Sequence, residues 1–368
     1  MKAVLLLLVL LFMLFACETT PSSTKQPIST TSLINYANHF ELIKMGEDYL
    51  LHILSPESGE ITEKYFLTKS HHINRKGYKK VNIPLKRIIP LSSTYIGMLS
   101  ALNLTETVVG ISNHRYIYDS IITARFHKGE IVECGDESTI PVEKIIAKEP
   151  QIILYSGFGN EFPSENQLHK LGVFTLPIYE WREKHVLGKA EWIKLIGALT
   201  DRLDEAQLYF NTVKSEYLSL KMEAQKLSLS PTVLCGNMIG DIWFAPNGDS
   251  YMAELLEDAG ANYKYKNTSG TGSIELSLEQ VVYDNRETQF WLNPGYSTMT
   301  EIKKSTPNVE LIGPAIKQQV YCYSRHMNRF WERSAIEPNL ILKDLINIFR
   351  NNEVPDDSLY FYSKVSNQ

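Results

Sequence analysis

Cysteine is scarce in this sequence, and none of its spacings is typical of a metal site. The 368 residues include 4 cysteines, and no two of them form a CxxC pair. This excludes a zinc knuckle, and the odd number beyond the first cysteine argues against a disulfide framework. We expect the three downstream ones to be buried as small apolar side chains: Cys134, Cys235 and Cys322.

Concentrated positive charge and catalytic motifs are also missing. The 37 Lys and Arg residues are spread along the chain and outnumbered by 42 Asp and Glu, for a formal net charge of −5. Nucleic acids and anionic membrane surfaces are bound through basic patches, so the composition disfavours both as partners. The chain has no HExxH, no GxSxG and no P-loop motif. The sequence therefore predicts no active site of these kinds.

The N-terminus carries a targeting signal. Lys2 precedes the apolar run AVLLLLVLLFMLFA, which ends at Ala16 and is followed by Cys17. This pattern is typical of a secretory signal peptide, with a short membrane anchor as the alternative. The residues LFAC resemble the bacterial lipobox, which implies cleavage after residue 16 and lipidation of Cys17. Residues 17–31, rich in Ser, Thr and Pro, are then a flexible tether.

Hydrophobic periodicity divides the rest of the chain. Between residues 33 and 80, short alternating runs separated by turn residues predict β-hairpins. Further on, strand-like runs alternate with helical ones, which predicts βα units around a parallel sheet. The strands of this half are RIIPLS, TVVGIS, QIILYS and VFTLPIY, and its helices are STYIGMLSALNL, IPVEKIIAKEP and NQLHKLG. Ser93 or Thr94 is the predicted cap of the first helix.

An apolar seam with steps of three and four residues runs from Trp192 to Leu220. It predicts one long helix, or two helices that meet near residues 197–201, with a helix start at Thr200 or Asp201. Beyond it, PTVLCGN, IWFAP, TQFWLNPG and QQVYCYS predict strands, and SYMAELLEDAG, LSLEQVVYD and EPNLILKDLINIFR predict helices. The predicted fold class is α/β, with halves at 32–188 and 228–368 and a helical region at 189–227.

Two long blocks of the first half, PLKRIIPLSSTYIGMLSALNLTETVVGISNHRYIYDS and VECGDESTIPVEKIIAKEPQIILYSGFG, resemble a known family. It comprises the substrate-binding proteins of ATP-binding-cassette importers for iron–siderophore complexes, cobalamin and haem. The resemblance extends over residues 33–363 through LGKAEWIKLIGAL, WFAPNGDSYMAELLEDAGANY, GSIELSLEQVV and FWERSAIEPNLILKDLINIF. It implies two lobes, each with a mainly parallel sheet flanked by helices, joined by one long rigid helix, with a ligand cleft between them.

The same resemblance implies a function. We expect an extracytoplasmic lipoprotein that captures a small-molecule metal chelate and delivers it to an importer permease dimer, without being an enzyme. We expect a monomer that contacts the membrane only through its lipid anchor and has no intrinsic cofactor. The resemblance also assigns Glu143 and Glu279, at equivalent points of the two halves, to docking on permease arginines. Without the resemblance, both would be read as solvated helix carboxylates.

Candidate ligand-binding residues follow from the position of loops after strands, because α/β proteins bind ligands where the carboxyl ends of parallel strands converge. The candidates are Ser93, Tyr95, Asn113, His114, Arg115, Tyr116, Phe158, Tyr179, Trp181, Trp243, Tyr251, Arg325, His326 and Trp331. Flat aromatic faces suit a macrocycle or a catecholate, and arginine suits an anionic ferric siderophore. For each aromatic residue, core packing is the alternative.

The sequence leaves the ligand open. A ferric siderophore or a corrinoid arrives with its metal already coordinated, whereas haem needs an axial ligand such as Tyr116, His114 or His326. A free zinc or manganese ion would need three or four His and carboxylate ligands, and only two histidines lie on predicted cleft loops. An extracytoplasmic enzyme or metal-cluster protein on a similar scaffold is the alternative of a different class, although three scattered cysteines disfavour a cluster.

Overall fold

The computed structural model describes residues 30–137, 140–158, 162, 164–227, 230–350, 355 and 358–367. Cys17 and the predicted signal peptide lie outside the described residues. The first strand, β1 (Thr30–Ser32), begins inside the segment that the sequence assigns to the tether. It pairs with the next strand of the chain, which gives these polar residues backbone partners.

An N-terminal sheet of five strands precedes the first lobe. Its strands, in spatial order, are β1, β2 (Phe40–Met45), β3 (Asp48–Leu54), β4 (Ile61–Thr68) and β5 (Lys79–Asn82). Pairing is antiparallel except between β4 and β5. The predicted hairpins are therefore confirmed. Alternate apolar side chains such as Leu42, Leu51 and Leu67 are buried in the main core, which fixes the register of the sheet.

The first lobe is built on parallel strands. Three of them pair in the order β10 (Phe174–Pro177), β9 (Ile152–Tyr155) and β6 (Ile88–Pro90). The pair β7 (Gly110–Ile111) and β8 (Val132–Glu133) is joined to β6 by a parallel bridge between Ile88 and Val108. The helices of this lobe are α1 (Ser93–Ala101), α2 (Ser120–His127), α3 (Val142–Ile146) and α4 (Glu165–Lys170).

The cap of α1 lies one residue before the predicted positions. Ser92 has an extended backbone, and its hydroxyl accepts the N–H of Thr94 at 3.3 Å. Because β6 ends at Pro90, the chain turns into the helix earlier than the apolar spacing alone suggests. Neither Ser93 nor Thr94 is the cap.

The connection between the lobes is helical. After α5 (Val186–Glu191) and α6 (Ile193–Thr200), α7 (Leu203–Lys226) extends for 24 residues. Asp201 has a φ of 59°, which ends α6, so α7 begins at Leu203 rather than at Thr200 or Asp201. The apolar seam therefore runs over two helices, as one of the two interpretations predicts, and α7 is the long connecting helix.

The second lobe repeats the parallel arrangement. Its main sheet has the order β14 (Asn262–Tyr263), β11 (Thr232–Cys235), β16 (Phe290–Leu292), β17 (Val320–Cys322) and β18 (Ser363–Lys364), with only β18 antiparallel. A separate antiparallel sheet has the order β12 (Asn237–Ile239), β13 (Ile242–Pro246) and β15 (Ser273–Leu276). The run IWFAP is therefore a hairpin strand. The helices are α8 (Tyr251–Asp258), α9 (Leu278–Asn285), α10 (Met299–Ser305), α11 (Gly313–Ile316), α12 (Met327–Arg333) and α13 (Pro338–Arg350).

One large apolar core extends from the N-terminal sheet through α1 and the connecting helices into the second lobe. A smaller core contains Ile89, Ile153 and Cys134 of the first lobe. The free thiols of Cys134, Cys235 and Cys322 are all buried, which confirms their expected role as small apolar side chains. No helix in the described part of the chain combines the length and apolar character needed to span a membrane. The α/β class, with two lobes joined by one long helix, is confirmed.

Candidate functional site

A cavity of about 840 Å³ opens at the carboxyl edge of the first-lobe strands. Most of its wall follows β6, β7, β8 and β9, where parallel strands bring their loops together. Its described lining is Leu91, Ser92, Ser93, Ser112, Asn113, Tyr116, Gly135, Asp136, Glu137, Tyr155, Ser156, Phe158, Phe162 and Trp331. We call it the first cavity.

A second cavity, of about 460 Å³, lies at the corresponding edge of the second lobe. It is lined by residues that follow β11, β16 and β17, among them Gly236, Asn293 and Tyr323. Trp181 and Arg182, from the turn after β10 of the first half, complete the wall. This cavity is therefore formed by residues from both halves of the chain.

Aromatic contacts join the two cavities. Phe158 of the first lies against Trp181 of the second, with ring centroids 4.5 Å apart. Trp331 of the first lies 5.7 Å from Tyr323 of the second, measured between ring centroids. The indole N–H of Trp181 also donates to the carbonyl of Ser156 at 2.7 Å, which fixes its ring. The two cavities and this aromatic wall together form an interlobe cleft.

Helix α12 carries Trp331 from the second half to the first cavity. The hydroxyl of Thr94 donates to the carbonyl of Trp331 at 3.0 Å, and the side-chain amide of Asn328 donates to the carbonyl of Arg115 at 2.7 Å. The buried Glu332 carboxylate accepts the N–H groups of Tyr118 and Asp119 at 2.8 and 3.1 Å. These contacts, which we call the α12 clasp, hold α12 against α1 and the loop after β7.

Several candidates from the sequence lie on the cleft walls. In the first cavity these are Ser93, Asn113, Tyr116, Phe158 and Trp331, and in the second they are Trp181 and Tyr251. The residues Tyr116, Phe158 and Trp331 are 58%, 72% and 44% exposed, respectively. Large aromatic side chains that remain open to solvent inside a cavity can be covered by a ligand at little structural cost.

Tyr95 and Trp243 are core residues and do not line the cleft. Both are 0% exposed. The Tyr95 hydroxyl oxygen lies 3.2 Å from Ser156 Oγ and 3.3 Å from the Ile178 carbonyl oxygen, within hydrogen-bond distance of both, because this position of α1 faces the sheet. Trp243 lies inside the β12–β13 hairpin and packs against Trp291, with ring centroids 5.3 Å apart. For both, the cleft prediction is wrong and the core alternative holds.

The remaining candidates line neither cavity. His114 is held away from them, since its Nδ1 lies 2.6 Å from Glu133 Oε2 and its ring stacks on Phe126. This hydrogen bond also lowers the pKa of the Glu133 carboxyl. Tyr179 packs over Gly157. The other three, Arg115, Arg325 and His326, lie in turns after β7 and β17 without contributing to the described cavity walls.

The sequence reasoning missed two carboxylates in the first cavity, Asp136 and Glu137. They follow β8, a strand of two residues, which is too short to recognise from an apolar run. The Glu137 carboxylate accepts the N–H of Ser156 at the end of β9. Burial, and to a smaller extent the neighbouring Asp136, raise the pKa of Glu137. The run CGDE, directly after the short strand, was the only available signal.

Three carboxyl groups close in sequence to cleft residues are shielded from water, Glu180 and Glu332 almost completely and Glu254, whose side chain is 24% exposed, in part. Burial raises the pKa of Glu180, Glu254 and Glu332 to about 7. One carboxylate oxygen of Glu180 has no hydrogen-bond partner among the described residues, although the side chain is buried beside Tyr95. Glu254 accepts the N–H of Val186 at 2.6 Å. Each of these groups is easier to bury when it is protonated.

We expect the free energy of unfolding of the parent protein to fall between about pH 5 and pH 8, and we expect the variant Glu180→Gln to show a smaller fall. The folded-state pKa of Glu180 lies above its ordinary value of 4.5, so its contribution is complete below that value and is lost as pH rises through 7. At ~1.4 kcal/mol per pKa unit, the free energy of unfolding of Glu180→Gln relative to that of the parent should be about 3 kcal/mol higher at pH 8 than at low pH. Urea unfolding at several pH values measures this difference.

The matched control is Glu279→Gln, which removes an exposed carboxyl whose pKa is lowered by hydrogen bonds from its own backbone N–H and from the Ser277 side chain. The stability that this group contributes is complete above its ordinary pKa of 4.5 and is lost only as pH falls below that value, so the pH dependence of the free energy of unfolding between pH 5 and pH 8 should not change. If the free energy of unfolding depended on pH in the same way for Glu180→Gln and for the parent, Glu180 would not have the raised pKa that this prediction requires.

Known proteins share this architecture. Residues 88–324 match the family model described as periplasmic binding protein. An uncharacterized lipoprotein of Methanocaldococcus jannaschii is 24% identical over 376 aligned residues, which cover 93% of this chain and 88% of the relative. A second uncharacterized lipoprotein of that organism is 22% identical, with 95% of this chain and 92% of the relative covered.

In the described part of the chain, no three His, Cys, Asp or Glu side chains are grouped closely enough to hold a metal ion.

Solved structures give the same fold. The periplasmic haem-binding protein of Pseudomonas aeruginosa has a TM-score of 0.59 and 14% identity, with 77% of this chain and 99% of that one covered. A possible iron-binding, periplasmic solute-binding protein of Staphylococcus epidermidis has a TM-score of 0.58 and 19% identity, with 73% of this chain and 100% of that chain covered. The triscatecholate siderophore-binding protein of Bacillus subtilis has a TM-score of 0.56 and 15% identity, with 74% of this chain and 96% of that chain covered.

Proposed function

The chain belongs to the periplasmic binding protein family, and from this premise we propose that it captures a ferric siderophore or a corrinoid for an ATP-binding-cassette importer. The main support is the interlobe cleft, in which cavities of about 840 and 460 Å³ meet along an aromatic wall. A space of this size suits an organic chelate rather than a bare ion. Structural neighbours named for haem and siderophore binding support the same class of ligand.

Haem is the second candidate, and Tyr116 is the observation that favours it. This tyrosine lines the first cavity and is 58% exposed, and a tyrosine hydroxyl can serve as an axial ligand of haem iron. His114 is less suitable because it is paired with Glu133, and His326 lies outside the described cavity walls. Haem addition should then produce a Soret band that shifts on Tyr116→Phe. A chelate whose metal is already fully coordinated needs no such ligand, and we therefore rank it first.

Delivery to a permease requires contacts outside the cleft. Glu143 and Glu279 are both exposed and lie in the first turns of α3 and α9, one in each lobe. Carboxylates in such positions are open to ion pairs with a partner's arginines. We include in the proposal that these two residues dock on the permease dimer and that the protein acts as a monomer. Lipidation of Cys17 is part of the same proposal, supported by the two lipoprotein relatives.

Replacing Trp331 by Ala should weaken chelate binding by at least about tenfold, equivalent to ~1.4 kcal/mol. The indole forms part of the first cavity and contacts Tyr323 of the second, so its loss opens the aromatic wall. Titration of the purified protein with ferric siderophores and cobalamins, followed by tryptophan fluorescence, measures the affinity. The control is Tyr283→Ala, a truncation of a 79% exposed aromatic residue that lines neither cavity.

Two outcomes would contradict the proposal. The parent protein could bind none of these chelates, in which case the captured solute belongs to another class. Alternatively, Trp331→Ala could bind as tightly as the parent, in which case the ligand does not occupy the first cavity.

A further inference from the structure

The net charge of the whole chain, −5, conceals one strongly basic segment. Residues 69–80, KSHHINRKGYKK, contain five Lys and Arg residues, two His residues and no Asp or Glu. They follow β4 and end in the first two residues of β5. Residues 71–77 are exposed without interruption. We call residues 69–80 the basic loop, and this density of positive charge is typical of a surface that binds anions.

Carboxylates of this chain neutralise only part of that charge. Lys69 Nζ lies 2.7 Å from Asp201 Oδ1, and Lys79 Nζ lies 2.6 Å from Glu63 Oε2. The three remaining cations, which form no ion pair with a carboxylate in the described part of the chain, are Arg75, Lys76 and Lys80. The basic loop therefore keeps positive charge for a partner.

The acidic residues at this end of the N-terminal sheet act on the base of the basic loop. The hydrogen bond with Asp201, together with the charges of Asp201 and Glu47, raises the pKa of Lys69. Asp48, the first residue of β3, is level with Thr68, the last residue of β4. These carboxylates therefore lie where the basic loop begins, and its tip extends beyond them.

The contacts at the tip leave its charges uncompensated. The guanidinium of Arg75 lies 5.3 Å from the ring centroid of Tyr78, and Lys80 Nζ donates to the carbonyl of His71 at 2.7 Å. A ring face and a neutral carbonyl orient these cations without cancelling them. Ile73 is 50% exposed, so an apolar side chain stands among the basic ones. This combination is typical of segments that lie on an anionic membrane surface.

The basic loop begins at the end of the sheet where the tether enters. The register of the strands places Thr30 of β1 and Thr68 of β4 in one row across four strands. At ~4.8 Å between neighbouring strands, the two residues are about 14 Å apart. Only 13 residues, 17–29, precede Thr30 from the proposed lipid onward, and a chain of that length reaches at most ~45 Å. A lipid on Cys17 therefore confines this end of the sheet to the neighbourhood of the bilayer.

The opposite end of the N-terminal sheet reaches the interlobe cleft. Glu57, in the turn between β3 and β4, pairs with Arg182 of the second-cavity wall at 3.1 Å. Between that turn and the basic loop lies β4, whose 8 residues span ~25 Å. Contact between the basic loop and a bilayer therefore leaves the cleft open to solutes.

We propose that the basic loop lies on the anionic headgroups of the membrane that holds the lipid anchor, as a second, electrostatic contact with that membrane. A bilayer fits better than a nucleic acid or an acidic protein, because the tether brings this end of the sheet to it and because Ile73 can enter the headgroup layer. Membrane contact through the lipid alone, as the overall composition suggests, does not account for this concentration of charge. The inference rests on the lipidation of Cys17, which is part of the proposed function.

Vesicle binding tests this contact. The protein used is the processed chain, residues 17–368, with the substitution Cys17→Ser, which keeps every described residue and lacks the lipid. At about 0.1 M salt it should co-sediment with vesicles of equal parts phosphatidylcholine and phosphatidylglycerol at least about tenfold more strongly than with phosphatidylcholine alone. About 1 M salt should remove this difference, because it shortens the screening length to ~3 Å.

The variant Arg75→Gln/Lys76→Gln removes two unpaired cations at exposed positions. A basic residue near an anionic surface strengthens binding about fivefold, so this variant should bind the mixed vesicles at least about tenfold more weakly. The control Lys303→Gln/Lys304→Gln makes the same change of charge at two adjacent exposed lysines of α10 and should bind like the parent. Equal binding by Arg75→Gln/Lys76→Gln and the parent, or no preference of the parent for anionic vesicles, would overturn the proposal.

Failure of this contact is distinguishable from failure of the proposed function. Mass spectrometry of the protein extracted from cell membranes detects the lipid on Cys17, and fluorescence titration detects chelate binding. Neither measurement depends on the basic loop. Absence of the lipid would overturn the anchor and, with it, the placement of the basic loop on the membrane. Loss of vesicle binding alone, with lipidation and chelate affinity intact, would overturn only the second contact.

Discussion

Reversing the charge of both proposed docking residues, in the variant Glu143→Lys/Glu279→Lys, is expected to abolish chelate uptake by cells. Each carboxylate is exposed in the first turn of its helix, so a lysine there would meet the permease arginine that the carboxylate is proposed to bind. Juxtaposed like charges at an interface cost several kcal/mol, so two of them should reduce uptake by more than about a hundredfold. The affinity of the purified variant for its chelate should stay within about twofold, since neither residue lines a cavity.

A matched variant separates docking from net charge. Asp204→Lys/Glu301→Lys makes the same change of charge at two other exposed carboxylates in the first turns of helices, α7 and α10. The penalty of a lysine at a helix start is common to both variants. We expect the control to transport normally, measured as uptake of radiolabelled chelate. Normal uptake by Glu143→Lys/Glu279→Lys would remove these residues from the docking surface.

The architecture was predictable because the buried strands have readable patterns. QIILYS and VFTLPIY produce β9 and β10, and the seam from Trp192 onward produces α6 and α7. Once such strands are recognised, the rule that ligands lie at their carboxyl ends locates Tyr116, Phe158 and Trp181 near the cleft. The same rule missed Asp136 and Glu137, because two residues of β8 are too few to carry an apolar pattern. Recognition of β8 required its pairing with β7, which is a tertiary fact.

The direction of a side chain was harder to predict than its position in the chain. Tyr95 lies near the carboxyl end of β6, but the rotation of α1 turns its ring toward Ser156 and Ile178. His114 lies in the predicted cleft loop, but Glu133 and Phe126 hold it outside the cavity. Both outcomes depend on partners that are distant in the sequence. Local periodicity contains no information about them.

The α12 clasp is a further feature that no local pattern indicates. Helix α12 crosses α1 so closely that a Cβ atom built on Gly97 would lie 1.8 Å from the carbonyl oxygen of Glu332. Real non-bonded atoms do not approach to that distance, and the neighbour is backbone rather than a flexible side-chain end. Glycine at position 97 is therefore required by the approach of the two helices. The same approach places Trp331 in the first cavity, which links this contact to the cleft.

Gly97→Ala is expected to lower the free energy of unfolding by about 3 kcal/mol. At an unobstructed helix position this substitution would stabilise the protein by ~1 kcal/mol, but here the added methyl group must push α12 away from α1. The displacement breaks the hydrogen bond between Thr94 and the Trp331 carbonyl, so chelate affinity should fall along with stability. Urea unfolding and fluorescence titration measure the two effects. Gly272→Ala, which adds a methyl group with no neighbouring heavy atom within 4 Å, should leave stability unchanged. A Gly97→Ala protein as stable as the parent would show that the helices can separate without cost and that the clasp does not hold the cleft together.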